Sequence, residues 1–179
     1  MGRAFSARIE MERGSASSVA YPARAMTRYF TADELQCLRA LRANFLRFEG
    51  RAGETPGFSY WESEEELALY DETFGQRIGW KWEAVLGELA RRGRLPVGQL
   101  VLDWGAGTGV AARRYLAAVE QGVERVQVWD RVRAAQDFAV ERVHAELPAL
   151  EGEGRQPERA PDILLVSHVL DELVEHELD

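Results

Sequence analysis

Val101-Leu102-Asp103-Trp104-Gly105-Ala106-Gly107-Thr108-Gly109 is the stretch that decides the fold of this chain. It begins as an apolar run of strand length and ends in alternating glycines, after which a helical pattern starts at Val110. Glycines in such a turn permit positive φ angles and let a ligand come close to the backbone. The helix behind the turn presents unpaired N–H groups to that ligand. The stretch therefore predicts a strand, a ligand-binding turn and a helix in succession.

Two further strand-like runs follow this turn along the chain. They are Arg125 to Asp130 (RVQVWD) and Asp162 to Ser167 (DILLVS), and a helical pattern precedes each of them. Strands that alternate with helices are typical of a doubly wound α/β fold with a mostly parallel sheet. The segment Leu147 to Pro161 (LPALEGEGRQPERAP) is polar and rich in Gly and Pro, so it does not predict a strand. We expect three strands, with a fourth undecided.

Residues 31–95 form a helical region before these strands. Apolar residues recur there in three one-sided helical patterns, and two of the patterns begin with capping-box spacing, at Thr31 and at Ser63. One-sided stripes need a partner, so we expect this region to pack on the α/β core of residues 96–179. Packing between helices is also the expectation for the aromatic residues Tyr60, Trp61, Trp80 and Trp82.

Charge and composition exclude several classes of function. The chain of 179 residues has a net charge of −8, although residues 1–30 are basic and are expected to form a flexible segment. A negative chain does not predict DNA binding by bulk charge, and any RNA contact would have to come from the Arg-bearing N-terminus or from local patches. No apolar run approaches the roughly 20 residues that span a bilayer. The single cysteine, Cys37, cannot form an internal disulfide or a multi-cysteine metal site, so we expect a cytoplasmic protein without a metal.

The glycine turn resembles the first motif of the class I S-adenosylmethionine (SAM) methyltransferases, D-x-G-x-G-x-G, at Asp103, Gly105, Gly107 and Gly109. It departs from the dinucleotide fingerprint G-x-G-x-x-G, because Val110 stands where that fingerprint has its last glycine. The resemblance implies a Rossmann-like core that binds SAM at the turn, with Asp103 near the amino end of the cofactor. It also implies that Asp130, at the tip of the next strand, accepts the two ribose hydroxyls.

The implied cofactor contacts extend beyond the motif. Trp104 and Thr108 would line the turn, and Ser167 lies at the strand tip that faces the transferred methyl group in this family. His168, the next residue, is a candidate general base because imidazole titrates near neutral pH. A histidine that caps or packs against the strand end is an equally open interpretation, since methyl transfer depends largely on alignment and does not require a base.

Within this class, the segment Ser167 to Leu173 (SHVLDEL) resembles the mitochondrial-type small-ribosomal-subunit assembly methyltransferases and their bacterial relatives. The resemblance implies the small ribosomal subunit or ribosomal RNA as partner. The cysteines that hold an iron–sulfur cluster in that family are not in this sequence, so no cluster is carried over. A full core of the class has more strands than this sequence predicts, and we expect a core truncated after the fourth strand position.

Three functions stay open at this point. The first is a SAM-dependent methyltransferase, and the second is a non-catalytic SAM-binding ribosome-assembly factor. The third is a nucleotide-binding α/β fragment, because a glycine turn alone also occurs in other α/β proteins.

Overall fold

The structure is a computed structural model that describes residues 28–48, 59–119, 121–146, 151–153 and 160–169. The basic segment of residues 1–30 therefore lies outside the described residues, apart from its last three. The same holds for the last four residues of the SHVLDEL segment. Within the described ranges, no helix is both long enough and apolar enough to cross a membrane.

Both predicted capping boxes begin helices in the structure. Helix α1 spans Ala32–Phe48, and its first-turn residue Glu34 donates its N–H to the Thr31 hydroxyl over 3.2 Å. The Glu34 carboxylate accepts the Thr31 N–H in return over 2.8 Å. Helix α2 spans Glu64–Tyr70, and the Ser63 hydroxyl accepts an N–H from its first turn over 3.2 Å. These bonds satisfy backbone donors that a helix start leaves without intrahelical partners.

A π-helical turn, Asp71–Gly75, joins α2 directly to helix α3, Gln76–Arg91. The sequence patterns predict two separate helices here, one ending near Phe74 and one containing Ile78, and that separation is wrong. Gly75 keeps a right-handed helical backbone with φ −56°, so the helical path continues through the junction. A π-turn inserts an extra residue into a helix without ending it, and such turns are frequent at functional sites.

The sheet of the described residues contains four parallel strands in the order β3-β2-β1-β4. The strands are β1 (Leu100–Trp104), β2 (Arg125–Trp129), β3 (Glu151–Glu153) and β4 (Ile163–Val166). Helix α4 (Val110–Ala118) connects β1 to β2, and helix α5 (Arg133–Glu146) connects β2 to β3. The expected α/β fold with a Rossmann-like core is therefore confirmed, and its carboxyl strand ends share one edge.

Strand β3 lies inside the polar segment that does not predict a strand. Its three residues pair in parallel with β2, with Glu151 opposite Arg125 and Glu153 opposite Gln127. An alternating apolar pattern marks a strand only where one of its faces is buried. A three-residue strand at the edge of the sheet pairs through its backbone, and a sequence pattern carries no signal for that. The undecided fourth strand is thus present.

The main core lies between the sheet and helices α3, α4 and α5. Its fully or almost fully buried members include Val101, Val126, Val128, Tyr115 and Leu86. Leu86 belongs to α3, so the helical region before the sheet contributes a side chain to the main core. A second cluster packs Leu67 of α2 against Phe138 of α5.

These contacts give a prediction about the helical region of residues 31–95. We expect it not to survive as a separately folded fragment, because Leu86 and Leu67 would lose the core partners that bury them. Limited proteolysis followed by mass spectrometry checks this. Release of a folded, protease-resistant piece covering residues 31–95 would contradict it.

Candidate functional site

The glycine turn lies between β1 and α4 and is fastened to the end of β2. The N–H groups of Gly105 and Ala106 both donate to the Trp129 carbonyl, over 2.9 and 3.0 Å. Gly105 has φ +70°, and a Cβ placed there would lie 2.2 Å from Val169 Cγ2. Glycine suits this position, because a side chain would be strained by the left-handed backbone and would also meet Val169. The turn therefore has a fixed shape.

Gly107 is the glycine of the turn that faces open space. It has φ +54°, and among the described residues only one atom, on the Trp61 ring at 3.9 Å, lies within 4 Å of a Cβ placed there. The space belongs to a cavity of about 450 Å³ at the carboxyl edge of the sheet. Six of the predicted cofactor positions line this cavity, namely Trp104, Gly105, Gly107, Thr108, Asp130 and Ser167. Ligand sites of α/β sheets lie at this edge.

The Asp130 carboxylate closes one side of the cavity next to the turn. It accepts the Gly107 N–H over 2.8 Å and the Val132 N–H over 2.8 Å, one on each oxygen. Burial raises the pKa of Asp130, while these two backbone hydrogen bonds act in the opposite direction. Each carboxylate oxygen has a second lone pair, so the group can accept two further hydrogen bonds from a ligand.

Asp103 lies beneath the turn, and it is absent from the cavity wall. Its side chain is fully buried, and its Oδ2 accepts the Ala112 N–H in the first turn of α4 over 3.0 Å. Its Oδ1 has no hydrogen-bond partner among the described residues. Desolvation raises the pKa of Asp103 to about 7; the Ala112 hydrogen bond opposes this, and the charge of Asp130 adds to it. Asp103 therefore joins strand β1 to helix α4, and Gly109 likewise lies beside Ala139 of α5 instead of on the wall.

Ser167 and His168 follow β4 on the far side of the cavity. The Ser167 hydroxyl accepts the Trp82 indole N–H over 2.9 Å, which ties the strand end to helix α3. His168 has φ +57° and is exposed, and its Nε2 lies 3.5 Å from the Lys81 ammonium nitrogen. The tautomer of the ring decides whether Nε2 accepts from this ammonium, and the general-base role of His168 stays a prediction.

The sequence patterns do not reveal the contribution of the helical region to the cavity. Tyr60 is buried, and Trp61 and Trp82 pack on the two core clusters, as expected. Tyr60 and Trp61 also lie on the cavity wall, and Trp80 is 61% exposed. Phe45, Tyr70 and Phe74 line the cavity as well. Helical spacing shows that these residues share a face, but it does not show which partner that face meets.

A buried arginine, Arg113, holds the site together and is also missed by the sequence patterns. Its guanidinium pairs with Asp71 in the π-turn and donates to Glu146 at the end of α5 over 2.8 Å. Two longer bonds of 3.4 Å reach the carbonyls of Thr108 and Gly109 in the glycine turn. One side chain thus connects the helical region, the turn and α5. In the described ranges, no group of three His, Cys, Asp or Glu side chains is arranged to hold a metal ion.

No family model matches the sequence, and no curated protein matches it. Solved structures do match. Mitomycin 7-O-methyltransferase is 17% identical over 80% of this chain and 43% of its own, with a TM-score of 0.50. Magnesium protoporphyrin IX methyltransferase from Synechocystis is 19% identical over 77% of this chain and 54% of its own, with a TM-score of 0.38.

Human N-acetylserotonin methyltransferase is 18% identical over 73% of this chain and 39% of its own, with a TM-score of 0.31. The chain thus spans between 39% and 54% of the length of these three structures. The likeness to the mitomycin enzyme, at 80% coverage of this chain, extends over the helical region as well as the sheet. The chain has the fold of the SAM-dependent methyltransferases.

Proposed function

We propose that this chain binds SAM and belongs to a SAM-dependent methyltransferase that acts in the cytoplasm. The observation that supports the proposal best is the cavity edge, where the open backbone at Gly107 meets the Asp130 carboxylate. A ligand can approach Gly107 without meeting a side chain of the turn, and its hydroxyl groups can donate to Asp130.

The residues of this edge fit the chemistry of SAM. A ribose diol needs a paired acceptor, and among the described residues the Asp130 carboxylate is the one acidic group on the cavity wall. Trp104 and Trp129 stack with ring centroids 5.5 Å apart and both line the cavity, which offers an apolar surface to a purine. The cavity volume also lies within the range of about 300–1,000 Å³ that is usual for small-molecule sites.

When bound, SAM supplies an electrophilic methyl group on a sulfonium centre. The chain itself contributes orientation and the exclusion of water. The glycine turn and Asp130 orient the cofactor, while the aromatic side chains of the helical region cover the cavity from the other side. The hydrogen bond from Trp82 to Ser167 holds the end of β4 at the cavity.

The methyl acceptor is a separate proposal. The resemblance of SHVLDEL supports ribosomal RNA or the small ribosomal subunit, and it rests on a segment of which only Ser167 to Val169 are described. Incubation of the chain and labelled SAM with purified small subunits and with a cell extract tests this acceptor. Label in small-subunit RNA or protein would support the ribosomal acceptor and contradict a small-molecule acceptor. SAM binding without transfer to any acceptor would favour a non-catalytic SAM-binding assembly factor.

Isothermal titration separates the cofactor classes. We expect SAM and its demethylated product to bind, and NAD not to bind. The dinucleotide fingerprint needs its third glycine at the position that Val110 occupies here. Binding of NAD in preference to SAM would overturn the proposed function and favour a nucleotide-binding protein.

Replacement of Asp130 by alanine should weaken SAM binding. The variant loses hydrogen bonds from the ribose to a charged carboxylate, and a hydrogen bond of this kind contributes about 1.5–3 kcal/mol. This corresponds to a loss of about 10- to 150-fold in affinity. Titration of wild type and variant with SAM measures the difference.

The matched control for this variant is Asp137→Ala on α5. Asp137 is an exposed acid whose ion pair with Arg133 lies outside the cavity. We expect the control to bind SAM as the wild type does. Because Asp130 also accepts the Gly107 N–H, thermal unfolding of Asp130→Ala must show a folded protein before its affinity is interpreted. Unchanged affinity in a folded Asp130→Ala would remove this residue from the cofactor site.

A further inference from the structure

The half of the cavity opposite the glycine turn is built from aromatic rings of the helical region. We call Phe45, Tyr60, Trp61, Tyr70 and Phe74 the aromatic wall. Phe45 lies at its centre, with ring centroids 4.4 Å from Tyr60 and 5.4 Å from Tyr70. Tyr70 continues the contact to Phe74 over 5.5 Å, and Trp61 contacts Tyr70 over 5.5 Å. Such a continuous set of rings offers stacking and edge contacts to a planar ligand.

The border of this wall is positively charged. Arg42 of α1 and Arg77 and Lys81 of α3 line the cavity with exposed side chains, and we call these three residues the basic rim. Neither Arg42 nor Arg77 forms an ion pair with another residue in the part of the chain that the structure describes. In a chain of net charge −8, three cations around one aromatic surface are a local reversal of the overall charge.

This charge exceeds what the cofactor can use. SAM carries a sulfonium, an ammonium and a single carboxylate, so its one anionic group can pair with at most one of the three rim cations. The acid suited to the SAM ribose, Asp130, lies on the other half of the cavity beside the turn, with Arg131 as a further cation next to it. A basic rim instead favours a ligand that carries negative charge, and an arginine guanidinium pairs well with a carboxylate or a phenolate.

We propose that the aromatic wall and the basic rim bind the methyl acceptor, and that this acceptor is a small planar aromatic molecule carrying an anionic oxygen group. The proposal rests on the proposed function, because only a methyltransferase has a methyl acceptor. Binding of the anionic aromatic molecule itself does not require SAM. An acceptor that arrives as an oxyanion has no proton to lose. That agrees with a site where the candidate base His168 faces the Lys81 ammonium.

A small molecule fits the surroundings better than a nucleic acid. Helices α1 and α2 and the π-turn that follows them also border an acidic hollow formed by Asp33, Glu34, Glu65, Glu66 and Glu72, with Arg28 among them. A polyanion that reached the cavity across these helices would meet this acidic surface, whereas nucleic-acid sites present an extended basic track. A small anion needs only the rim.

Titration with three probes in the absence of SAM tests the site. 2-Naphthoate has both the ring and the charge, 2-naphthamide keeps the ring without the charge, and cyclohexanecarboxylate keeps the charge without the ring. We expect 2-naphthoate to bind at least about tenfold more tightly than either of the others, and its affinity to fall as salt is added. Equal binding of 2-naphthoate and 2-naphthamide, or no binding of 2-naphthoate up to about 5 mM, would overturn the proposal.

Variants locate the binding. The double variant Arg42→Gln/Arg77→Gln should lose about tenfold in affinity for 2-naphthoate, and Trp61→Leu should lose a similar amount. The matched controls are Arg39→Gln on α1 and Trp80→Leu on α3, which are exposed and lie outside the cavity. We expect both controls to bind 2-naphthoate as the wild type does. Equal losses in the cavity variants and in the controls would contradict the assigned site.

Two further measurements separate this proposal from its alternatives. In the first, a single-stranded RNA oligonucleotide is added to the protein with bound 2-naphthoate. Displacement of 2-naphthoate at an RNA concentration below the dissociation constant of 2-naphthoate would overturn the small-molecule acceptor in favour of RNA. Parallel titration with SAM distinguishes a failure of the acceptor site from a failure of the proposed function. SAM binding without 2-naphthoate binding overturns only the acceptor site, while 2-naphthoate binding without SAM binding overturns the proposed function and the acceptor role with it.

Discussion

Replacement of Arg113 by methionine is expected to lower the free energy of unfolding by about 3–5 kcal/mol. The side chains of Arg113 and Asp71 are only 7% and 8% exposed, so the variant leaves the Asp71 carboxylate buried without its cation. An ionised carboxylate in such surroundings costs far more than an apolar side chain. The loss of the bonds to the Thr108 and Gly109 carbonyls also frees the glycine turn, so SAM binding should weaken in the same variant.

The double variant Asp71→Leu/Arg113→Met tests the physical reason. It removes both charges, and a buried ion pair can often be replaced by apolar residues at little net cost. We therefore expect it to recover a large part of the stability that Arg113→Met loses. Arg133→Met is the control, because its ion pair with Asp137 is 77% and 56% exposed and contributes at most about 1 kcal/mol.

Urea unfolding of the four proteins measures these differences. If the double variant is as unstable as Arg113→Met, the buried charge of Asp71 is not the cause of the loss. A small effect of Arg113→Met itself, similar to that of Arg133→Met, would contradict the role of Arg113 as the connection between the helical region and the turn.

The glycine turn and the strand ends are the parts of the site that the sequence predicts well. The backbone of a tight turn requires glycines at a fixed spacing, and the sequence shows that spacing directly at Gly105 and Gly107. Asp130 is predicted by the family resemblance, and the parallel β-α-β unit gives the physical reason for its place at the same edge of the sheet. These features follow from short-range rules, and the structure places Gly105, Gly107 and Asp130 on one cavity.

The remaining features depend on contacts between segments distant in sequence. Asp71 and Arg113 are 42 residues apart, and no local pattern marks either of them as a partner of the other. Trp61 packs on the cluster of Leu67 and Phe138 and also lies on the cavity wall, and its local sequence does not show the second of these contacts. Strand β3 also depends on a distant segment, because its backbone pairs with β2. Its sequence, EGE, contains no alternating apolar residues that would predict a strand.

Asp103 is expected to make the stability of the protein fall as the pH rises from about 4 to about 7. Its pKa is raised from 3.8 to about 7 in the folded protein because its carboxyl group is fully buried. Between these two values the folded chain holds a proton that the unfolded chain has released. Stability is then lost with rising pH, because the unfolded state binds fewer protons than the folded state. Below about pH 4 both states are protonated, and above about pH 7 the loss stays constant.

Comparison of the wild type with Asp103→Asn isolates this group. The asparagine is neutral at every pH, so its curve lacks the contribution of Asp103 while it keeps that of Asp130 and of every other acid. A shift of this size corresponds to a change on the order of 4 kcal/mol in the difference between the two proteins over the whole range, of which about 2.5 kcal/mol falls between pH 5 and pH 8. Urea unfolding at pH 5 and at pH 8 measures this part, with Asp137→Asn as an exposed control that should follow the wild type. Relative to the wild type, Asp103→Asn should gain stability between these pH values. Parallel curves for the two proteins would mean that Asp103 is ionised in the folded state despite its burial.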